Sequence, residues 1–169
     1  AKEGVLVKLD DALLDRVDAQ FRSPKGDWVG NSGRERAIVY NTDSIRPEEL
    51  PASILDYTAP EWRGRVGWAP TTGSFQAFVT ALRVLHGDEA AKNWLIGIKE
   101  NDPSVYPNNI TTVAATAAGE VDVGFVNHYY LHRFLAEHGE GFKARNHYSS
   151  GDAGALINVA GVGVLRRTD

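Results

Sequence analysis

Stretches with strand-like and helix-like spacing of apolar residues alternate along this chain. Strand patterns occur in "RAIVYN" (36–41), in 65–69, in "EVDVGFVN" (120–127) and in "GALINVAGVGVL" (154–165). Helical spacing occurs in 75–85, in "DEAAKNWLIGIKEN" (88–101), in 110–119 and in 131–139. The alternation predicts an α/β fold, in which helices flank a layered sheet.

Two segments between these elements lack a regular pattern. The glycine-containing "RSPKGDWVGNSGRER" (22–36) predicts a loop or linker, and the proline-punctuated "IRPEELPASILDY" (45–57) predicts short helical turns at most. The chain opens without a methionine and stops soon after a strongly apolar run. We therefore expect it to be a fragment of a longer protein.

The composition limits the classes of function. With 169 residues, 43% hydrophobic and 24% charged, the chain is long enough for one well-buried domain. The net charge of -4 and the pI near 5.7 argue against a nucleic-acid partner, which needs a basic surface. No apolar stretch approaches the roughly 20 residues of a membrane span. The absence of cysteine excludes disulfides, thiolate metal sites and cysteine nucleophiles.

Small polar residues precede three of the predicted helices. They are Thr71, Thr72, Gly73 and Ser74 before the first, Asn108 and Asn109 before the second, and Asn127 before the third. Such residues are the usual helix N-caps, and capping alone would explain them. In an open α/β sheet, however, helix N-termini follow the carboxyl ends of the strands, where ligands bind. Three N-termini at one edge would offer free N–H groups and positive dipole ends to an anion.

Tyr129 and Tyr130 are predicted to occupy the first turn of the third of these helices. Consecutive helical side chains point about 100° apart, so both rings cannot face one core. At the helix start both phenols can instead lean toward the strand ends, where a positive helix end or a cation favours the phenolate. Two phenolates are hard oxygen donors and suit a hard cation such as Fe(III). The alternative is that one ring packs in the core while the other lies on the surface.

His128 and His132 raise a second metal hypothesis. Their four-residue spacing can place two imidazoles on one helix face, as in zinc sites, and His138 and His147 lie nearby in the sequence. No third ligand stands at a recognisable spacing, and solvated surface histidines are the simpler alternative. The chain contains no G-x-S-x-G elbow, no P-loop and no H-E-x-x-H motif, which disfavours an enzyme.

Three motifs in combination resemble those of the periplasmic ferric-ion-binding proteins, the substrate-binding components of bacterial iron ABC transporters. They are "PEWRGRVGWAPTTGSFQAFVTAL" (60–82), "YPNN" (106–109) and "DVGFVNHYYLHR" (122–133). The resemblance implies a type II periplasmic-binding-protein fold, with two α/β lobes that are joined by hinge strands and close on ligand in a cleft. This chain would then be the second lobe, a mixed sheet flanked by helices, with hinge-crossing strands at both ends.

The resemblance also implies a division of the chain. Residues 1–35 would be a remnant of the first lobe with a linker, and residues 36–154 the second α/β lobe with half of the iron and anion site. Residues 155–169 would form a hinge strand that returns to the first lobe.

Carried over residue by residue, the resemblance implies that Tyr129 and Tyr130 bind Fe(III). A branch of the family that depends little on an anion has a third tyrosine where this chain has Phe75. The chain therefore resembles the anion-dependent branch. The family's other iron ligands, usually a His and a Glu, come from the first lobe, upstream of Ala1.

The same comparison implies an anion site. Thr72, Gly73 and Ser74 match the helix start that holds a synergistic anion, phosphate or carbonate, against the iron. Asn109 and Asn127 match asparagines that reach the same anion. These are residues that the helix-start argument had already selected.

The implied partners are the ferric ion with its anion and an ABC transporter permease in the membrane. The implied location is periplasmic or extracellular, or at the cell surface through a lipid anchor on the full-length parent. Exposed hinge strands would favour self-association of the fragment. Two alternative functions stay open: a binding module for a small organic anion such as a phosphonate, and a zinc-dependent hydrolase using His128 and His132.

Overall fold

The structure is a computed structural model, and it describes residues 4–166. The chain divides into two compact units, the first combining Ala1–Arg34 with Ile157–Asp169 and the second comprising Glu35–Leu156. The outermost residues of the predicted first-lobe remnant and of the predicted hinge strand, 1–3 and 167–169, lie outside the described part. Whether the first unit is the remnant of a missing lobe stays a prediction.

The second unit is built on a mixed β-sheet. Its strands are β1 (Val29–Asn41, which enters this unit at Glu35), β2 (Val66–Trp68), β3 (Ser104–Val105), β4 (Val123–Asn127) and β5 (Ala144–His147). Their order across the sheet is β3-β2-β4-β1-β5. β2 runs parallel to β3 and β4, whereas β1 is antiparallel to β4 and β5. The carboxyl ends of β2, β3 and β4 therefore lie at one edge of the sheet.

The helices follow the predicted positions closely. A short α1 (Asp11–Leu14) lies in the first unit, and the second unit contains α2 (Gly73–His86), α3 (Asp88–Glu100), α4 (Asn109–Ala118) and α5 (Tyr129–His138). α4 ends at Gly119, whose left-handed backbone (φ 79°) a glycine adopts without steric cost. The proline-punctuated segment forms short 3₁₀ turns, at Pro47–Glu49 and Ile54–Thr58.

Apolar layers cover both faces of the sheet. The larger core contains Ile38 of β1 together with residues of α2, α3, β4 and the 3₁₀ turns, among them Tyr57, Trp62, Phe78, Trp94 and Phe125. The smaller core contains Val39 together with Val113, Val126, Leu131 and Ala144, which come from α4, α5 and two strands. Neighbouring residues of a strand point to opposite faces, so Ile38 and Val39 anchor β1 in both cores. This mixed sheet with helices on both sides confirms the predicted fold class.

The first unit is smaller and more apolar at its surface. Its strand β6 (Ile157–Val162) pairs with β1, and Leu6 forms an isolated bridge with Leu165. A small core of Leu9, Leu14 and Val29 supports it. A cavity of about 230 Å³ is lined chiefly by Val17, Phe21, Ile157, Val159 and the backbone of residues 30–33.

The predicted loop over residues 22–36 is wrong in its second half. Residues from Val29 onward belong to the 13-residue strand β1. The exposed small and polar side chains of residues 30–34 carry no apolar alternation, and it is backbone pairing with β6 that makes them a strand. The short strands β3 and β5 were not predicted, because β5 buries only Ala144 and β3 has only two residues. Within residues 4–166, no helix has both the length and the apolar character needed to cross a bilayer.

Gly124 tests the packing of α4 on the sheet. A Cβ at this position of β4 would lie 2.6 Å from Cγ2 of Thr112 and 3.0 Å from Oγ1 of Thr116, both fully buried. Gly124→Ala should therefore lower the free energy of unfolding by about 1–3 kcal/mol, the usual cost of overpacking, in urea denaturation. Gly141→Ala is the matched control, since a Cβ there meets no atom within 4 Å. Equal stability of the two variants would contradict the packing.

Candidate anion and metal site

Three helices begin at the edge where the parallel strands end. α2 begins five residues after the end of β2, α4 begins four residues after β3, and α5 begins two residues after β4. Their N-termini therefore gather at one end of the second unit, as the sequence pattern predicted. Each N-terminus has N–H groups without an intrahelical acceptor and contributes a partial positive charge.

The start of α2 leaves backbone donors open. Thr72 precedes the helix, but its hydroxyl donates to the carbonyl of Ala69 (2.8 Å) and caps no N–H group. In the described part of the chain, the N–H groups of Gly73 and Ser74 have no acceptor. A Cβ at Gly73 would meet no atom within 4 Å, so packing does not demand a glycine. The open space and the two free donors are what a bound oxyanion requires.

The two asparagines before α4 have separate roles. Asn108 is the N-cap, because its side-chain oxygen accepts from the N–H of Thr111 at 3.0 Å. Asn109 is buried and points elsewhere: its Nδ2 lies 3.4 Å from Oγ of Ser74, and its Oδ1 accepts from the N–H of Asn127 at 3.2 Å. Asn109 thus connects the start of α2 with the end of β4.

Asn127 was predicted to end a strand and to precede the helix that carries the tyrosines. It is the last residue of β4, and His128 occupies the N-cap position directly before α5. Asn127 lies directly opposite Arg36 in the β1–β4 ladder. Its buried Oδ1 accepts from Nη1 of Arg36 at 3.0 Å.

Arg36 is the residue that sequence reasoning missed. Its side chain is 5% exposed, and no Asp or Glu carboxylate among residues 4–166 forms an ion pair with it. Its other side-chain contact is with the ring of Phe78, whose centroid is 5.5 Å away. Burial lowers the pKa of this guanidinium to about 10, so it stays charged at neutral pH. A buried cation without a carboxylate partner is expected where an anion binds.

One signal in the sequence could have identified Arg36. The strand "RAIVYN" places a charged residue immediately before a run of apolar residues, a pattern typical of a buried strand. A buried charge is rare unless it has a partner. What the sequence could not reveal is that Asn127 lies opposite Arg36, since register depends on the whole sheet.

The tyrosine pair lies at the start of α5, as predicted. Both side chains are half-buried, and their ring centroids are 4.3 Å apart with a tilt of 31°. Tyr130 also packs against the smaller core. The tyrosine pair begins two residues after Asn127, which contacts Asn109 and Arg36. The structure joins four of the five predicted anion residues, Thr72, Ser74, Asn109 and Asn127, in one network of contacts, and Gly73 lies between two of them in the sequence.

The histidines do not form a zinc site. His128 and His132 have ring centroids 6.1 Å apart, but Nδ1 of His128 is engaged by the backbone of Glu35. His138 stacks between the rings of Phe134 and Phe142, and His147 contacts the carbonyl of Pro51. No group of three or more His, Asp or Glu side chains in residues 4–166 could hold a metal ion. The zinc hypothesis has no third ligand in this part of the chain.

The fold and the gathered helix starts define a lobe of a type II periplasmic binding protein. A family model described as bacterial extracellular solute-binding protein matches residues 1–164. The chain belongs to this family.

Individual relatives sharpen the comparison. The chain is 40% identical over 144 residues to the major ferric iron-binding protein of Neisseria meningitidis serogroup A, covering 84% of this chain and 43% of the relative. It is 38% identical over 159 residues to the Fe(3+)-binding periplasmic protein of Serratia marcescens, covering 93% and 47%. These matches confirm the resemblance to periplasmic ferric-ion-binding proteins. The chain spans about half the length of these relatives.

Two solved structures of iron-bound proteins are similar to this chain. The crystal structure of iron-bound HitA from Pseudomonas aeruginosa superposes with a TM-score of 0.90 at 39% identity, covering 98% of this chain and 54% of that one. Trichodesmium IdiA (FutA), in complex with iron and citrate, superposes with a TM-score of 0.85 at 27% identity, covering 98% and 55%.

Substitution of Arg36 tests whether an anion binds beside its guanidinium. Phosphate that pairs with this guanidinium should stabilise the folded chain by about 1–2 kcal/mol at ten to thirty times its dissociation constant. Arg36→Met should abolish this phosphate-dependent gain, measured by thermal unfolding with and without phosphate at constant ionic strength. Arg34→Met, on the same strand but exposed, should keep it. An equal gain in all three proteins would place the anion elsewhere.

Proposed function

We propose that this chain carries the tyrosine and anion half of a ferric-ion site in the substrate-binding component of a bacterial iron ABC transporter. The observation that carries the proposal is the network of contacts from Ser74 through Asn109 and Asn127 to Arg36, a buried cation without a carboxylate partner among residues 4–166. Asn127 lies two residues before Tyr129 in the sequence. Relatives named as ferric iron-binding proteins support the same cargo.

The roles follow from the donor chemistry. Thr72, Gly73 and Ser74 at the α2 start, with Asn109 and Asn127, would hold a synergistic anion, phosphate or carbonate. Tyr129 and Tyr130 would bind Fe(III) as phenolates, since hard oxygen donors suit this ion.

Charge balance favours an anion with two negative charges. Two phenolates neutralise two of the three charges of Fe(III), which leaves one positive charge on the ion and one on Arg36. A dianion placed between them, such as carbonate or hydrogen phosphate, would neutralise both. Iron and anion would then stabilise each other, because each lowers the cost of burying the other's charge.

The chain supplies only part of an octahedral shell. Two phenolates and one anion leave coordination positions for further donors, and the relatives are about twice as long as this chain. We propose that a first lobe in the parent protein supplies the remaining ligands. On its own, the chain would bind iron weakly, with water or a chelator completing the shell.

The proposed biological setting follows from the family. The parent protein would deliver Fe(III) to a transporter permease in the membrane, and it would be located in the periplasm or outside the cell, or be held at the surface by a lipid anchor. The relatives are binding proteins, which supports a role in binding and not in catalysis.

A small organic anion such as a phosphonate is the second candidate ligand. Arg36 favours it to the same degree, because a guanidinium beside free helix N–H groups would hold any tetrahedral oxyanion. The tyrosines would then stack on the ligand or donate hydrogen bonds to it. This candidate predicts tight binding without iron.

Tyr129→Phe and Tyr130→Phe separate the two candidates. Each change keeps the ring and deletes the phenolate, so each should weaken Fe(III) binding at least about tenfold and reduce the visible tyrosinate-to-iron absorbance. Affinity is measured by titration with citrate as competitor, in this chain and in the full-length parent.

Tyr106→Phe is the matched control, because its hydroxyl contacts Glu120 outside the network. It should titrate with iron like the unmodified protein. If both tyrosine variants also do so, the ligand assignment is wrong. Phosphonate binding without any iron colour would support the second candidate.

We further propose that the first unit mediates self-association of this chain. Its exposed apolar residues are Val5, Leu13, Phe21, Ile157, Val162, Val164 and Leu165. Burying them against a second copy would remove a large apolar surface from water.

Size-exclusion chromatography with light scattering should give a dimer, and combined Ile157→Lys and Leu165→Lys changes should give a monomer. Val84→Lys, on an exposed residue of the second unit, should leave the mass unchanged; a monomeric unmodified chain would refute the proposal.

A further inference from the structure

His128 is not a ligand in the proposed iron site. It forms two hydrogen bonds with the backbone of Glu35. The N–H of His128 donates to the carbonyl of Glu35 at 3.0 Å, and the N–H of Glu35 donates to Nδ1 of His128 at 3.1 Å. The N–H of Glu35 has no other acceptor among the described residues, so Nδ1 serves as its acceptor in the tautomer that carries the ring proton on Nε2. Nδ1 also lies 3.3 Å from the carbonyl oxygen of Glu35.

Glu35 lies at the boundary in the chain between the two units. It is the first residue of the second unit, next to the boundary after Arg34. The paired register of β1 with β4 begins one residue later, where Arg36 lies opposite Asn127. Glu35 lies within β1 opposite His128, one residue beyond the last paired residue of β4, and its backbone is bonded there by the N–H group and the ring of His128.

The other side of His128 faces the tyrosine pair. Its ring packs edge-on to the ring of Tyr129, with centroids 5.7 Å apart and an angle of 90°. Tyr129 in turn contacts the ring of Tyr130. The carbonyl of His128 accepts from Nδ2 of Asn146 at 2.9 Å, which fixes the backbone at this point. The remaining freedom of His128 is therefore the orientation of its ring, and both Tyr129 and Glu35 depend on it.

We infer that His128 is a positioning residue that orients Tyr129 and couples metal binding at the tyrosine pair to the backbone of Glu35. The inference rests on the proposed function. An ion held by the phenolate fixes the Tyr129 ring, the fixed ring restrains the imidazole packed against it, and the restrained imidazole holds the Glu35 N–H more persistently. Iron binding therefore restrains the backbone at Glu35, the first residue of the second unit.

Two variants separate the contact of His128 with the Glu35 backbone from its contact with the Tyr129 ring. His128→Asn keeps an acceptor near the position of Nδ1 and removes the ring, whereas His128→Phe keeps a ring and removes the acceptor. His86→Asn, at the exposed end of α2, is the matched control. Circular dichroism checks that each variant is folded.

Two readouts are measured on the full chain with Fe(III) supplied as its nitrilotriacetate chelate together with phosphate. The first is the tyrosinate-to-iron absorbance, which reports the orientation of Tyr129. The second is hydrogen exchange of the Glu35 amide, followed by mass spectrometry with electron-transfer fragmentation. Trypsin cleavage after Arg34 provides an independent measure of the same backbone.

In the unmodified chain, iron should slow exchange of the Glu35 amide and cleavage after Arg34 by at least about threefold. His128→Phe should keep the absorbance band and lose this slowing. His128→Asn should shift the band and also lose the iron-dependent slowing, although its exchange without iron should match the unmodified chain. His86→Asn should change neither readout.

The possible failures are distinguishable. No absorbance band in the unmodified chain refutes the proposed function, and the inference with it. A normal band without any slowing at Glu35 refutes the inference alone. The full slowing in His128→Phe would likewise refute it, because the backbone would then respond without the Nδ1 acceptor.

Discussion

The hydrogen bond between Arg36 and Asn127 joins the electrostatics of this structure to its architecture. A guanidinium is costly to bury, and here a neutral amide oxygen and an aromatic ring are its side-chain contacts. The strand ladder nevertheless holds it in place, because Arg36 and Asn127 are opposite residues in β1 and β4. Asn127 and Asn109 connect this positive charge to Ser74 at the start of α2, so a chain with a net charge of -4 holds a buried cation at the end of this network.

Parallel strands supply the second constraint. β2, β3 and β4 end at the same edge, so three helices begin there and their small polar residues converge. None of these residues is a strong ligand by itself. The cluster acquires its character from the combination of free N–H groups, two buried amides and one cation. The tyrosines follow in sequence directly, because α5 begins two residues after β4 ends.

Much of this arrangement could be predicted from the sequence, and the failures have a common cause. Apolar periodicity located the four helices of the second unit and the buried strands, since these elements bury a regular face. The segment from Gly30 to Arg34 was mistaken for a loop because its side chains are exposed and only its backbone pairs. Asn127 was predicted at the end of a strand and before a helix, but its contact with Arg36 on the neighbouring strand was not predicted. Arg36 was missed since its importance depends on its partner across the sheet, which local patterns do not record.

The position of β1 between two cores has a consequence for how this protein can change. Ile38 lies in the larger core and Val39 in the smaller one, and Arg36 is only two residues from Ile38 on the same strand. A substitution that alters packing on either face therefore shifts the strand that carries the cation. Ligand affinity should accordingly drift with mutations far from the cluster. Much of the variation in anion affinity would then arise in the hydrophobic interior, where small shifts of β1 change the contacts of Arg36.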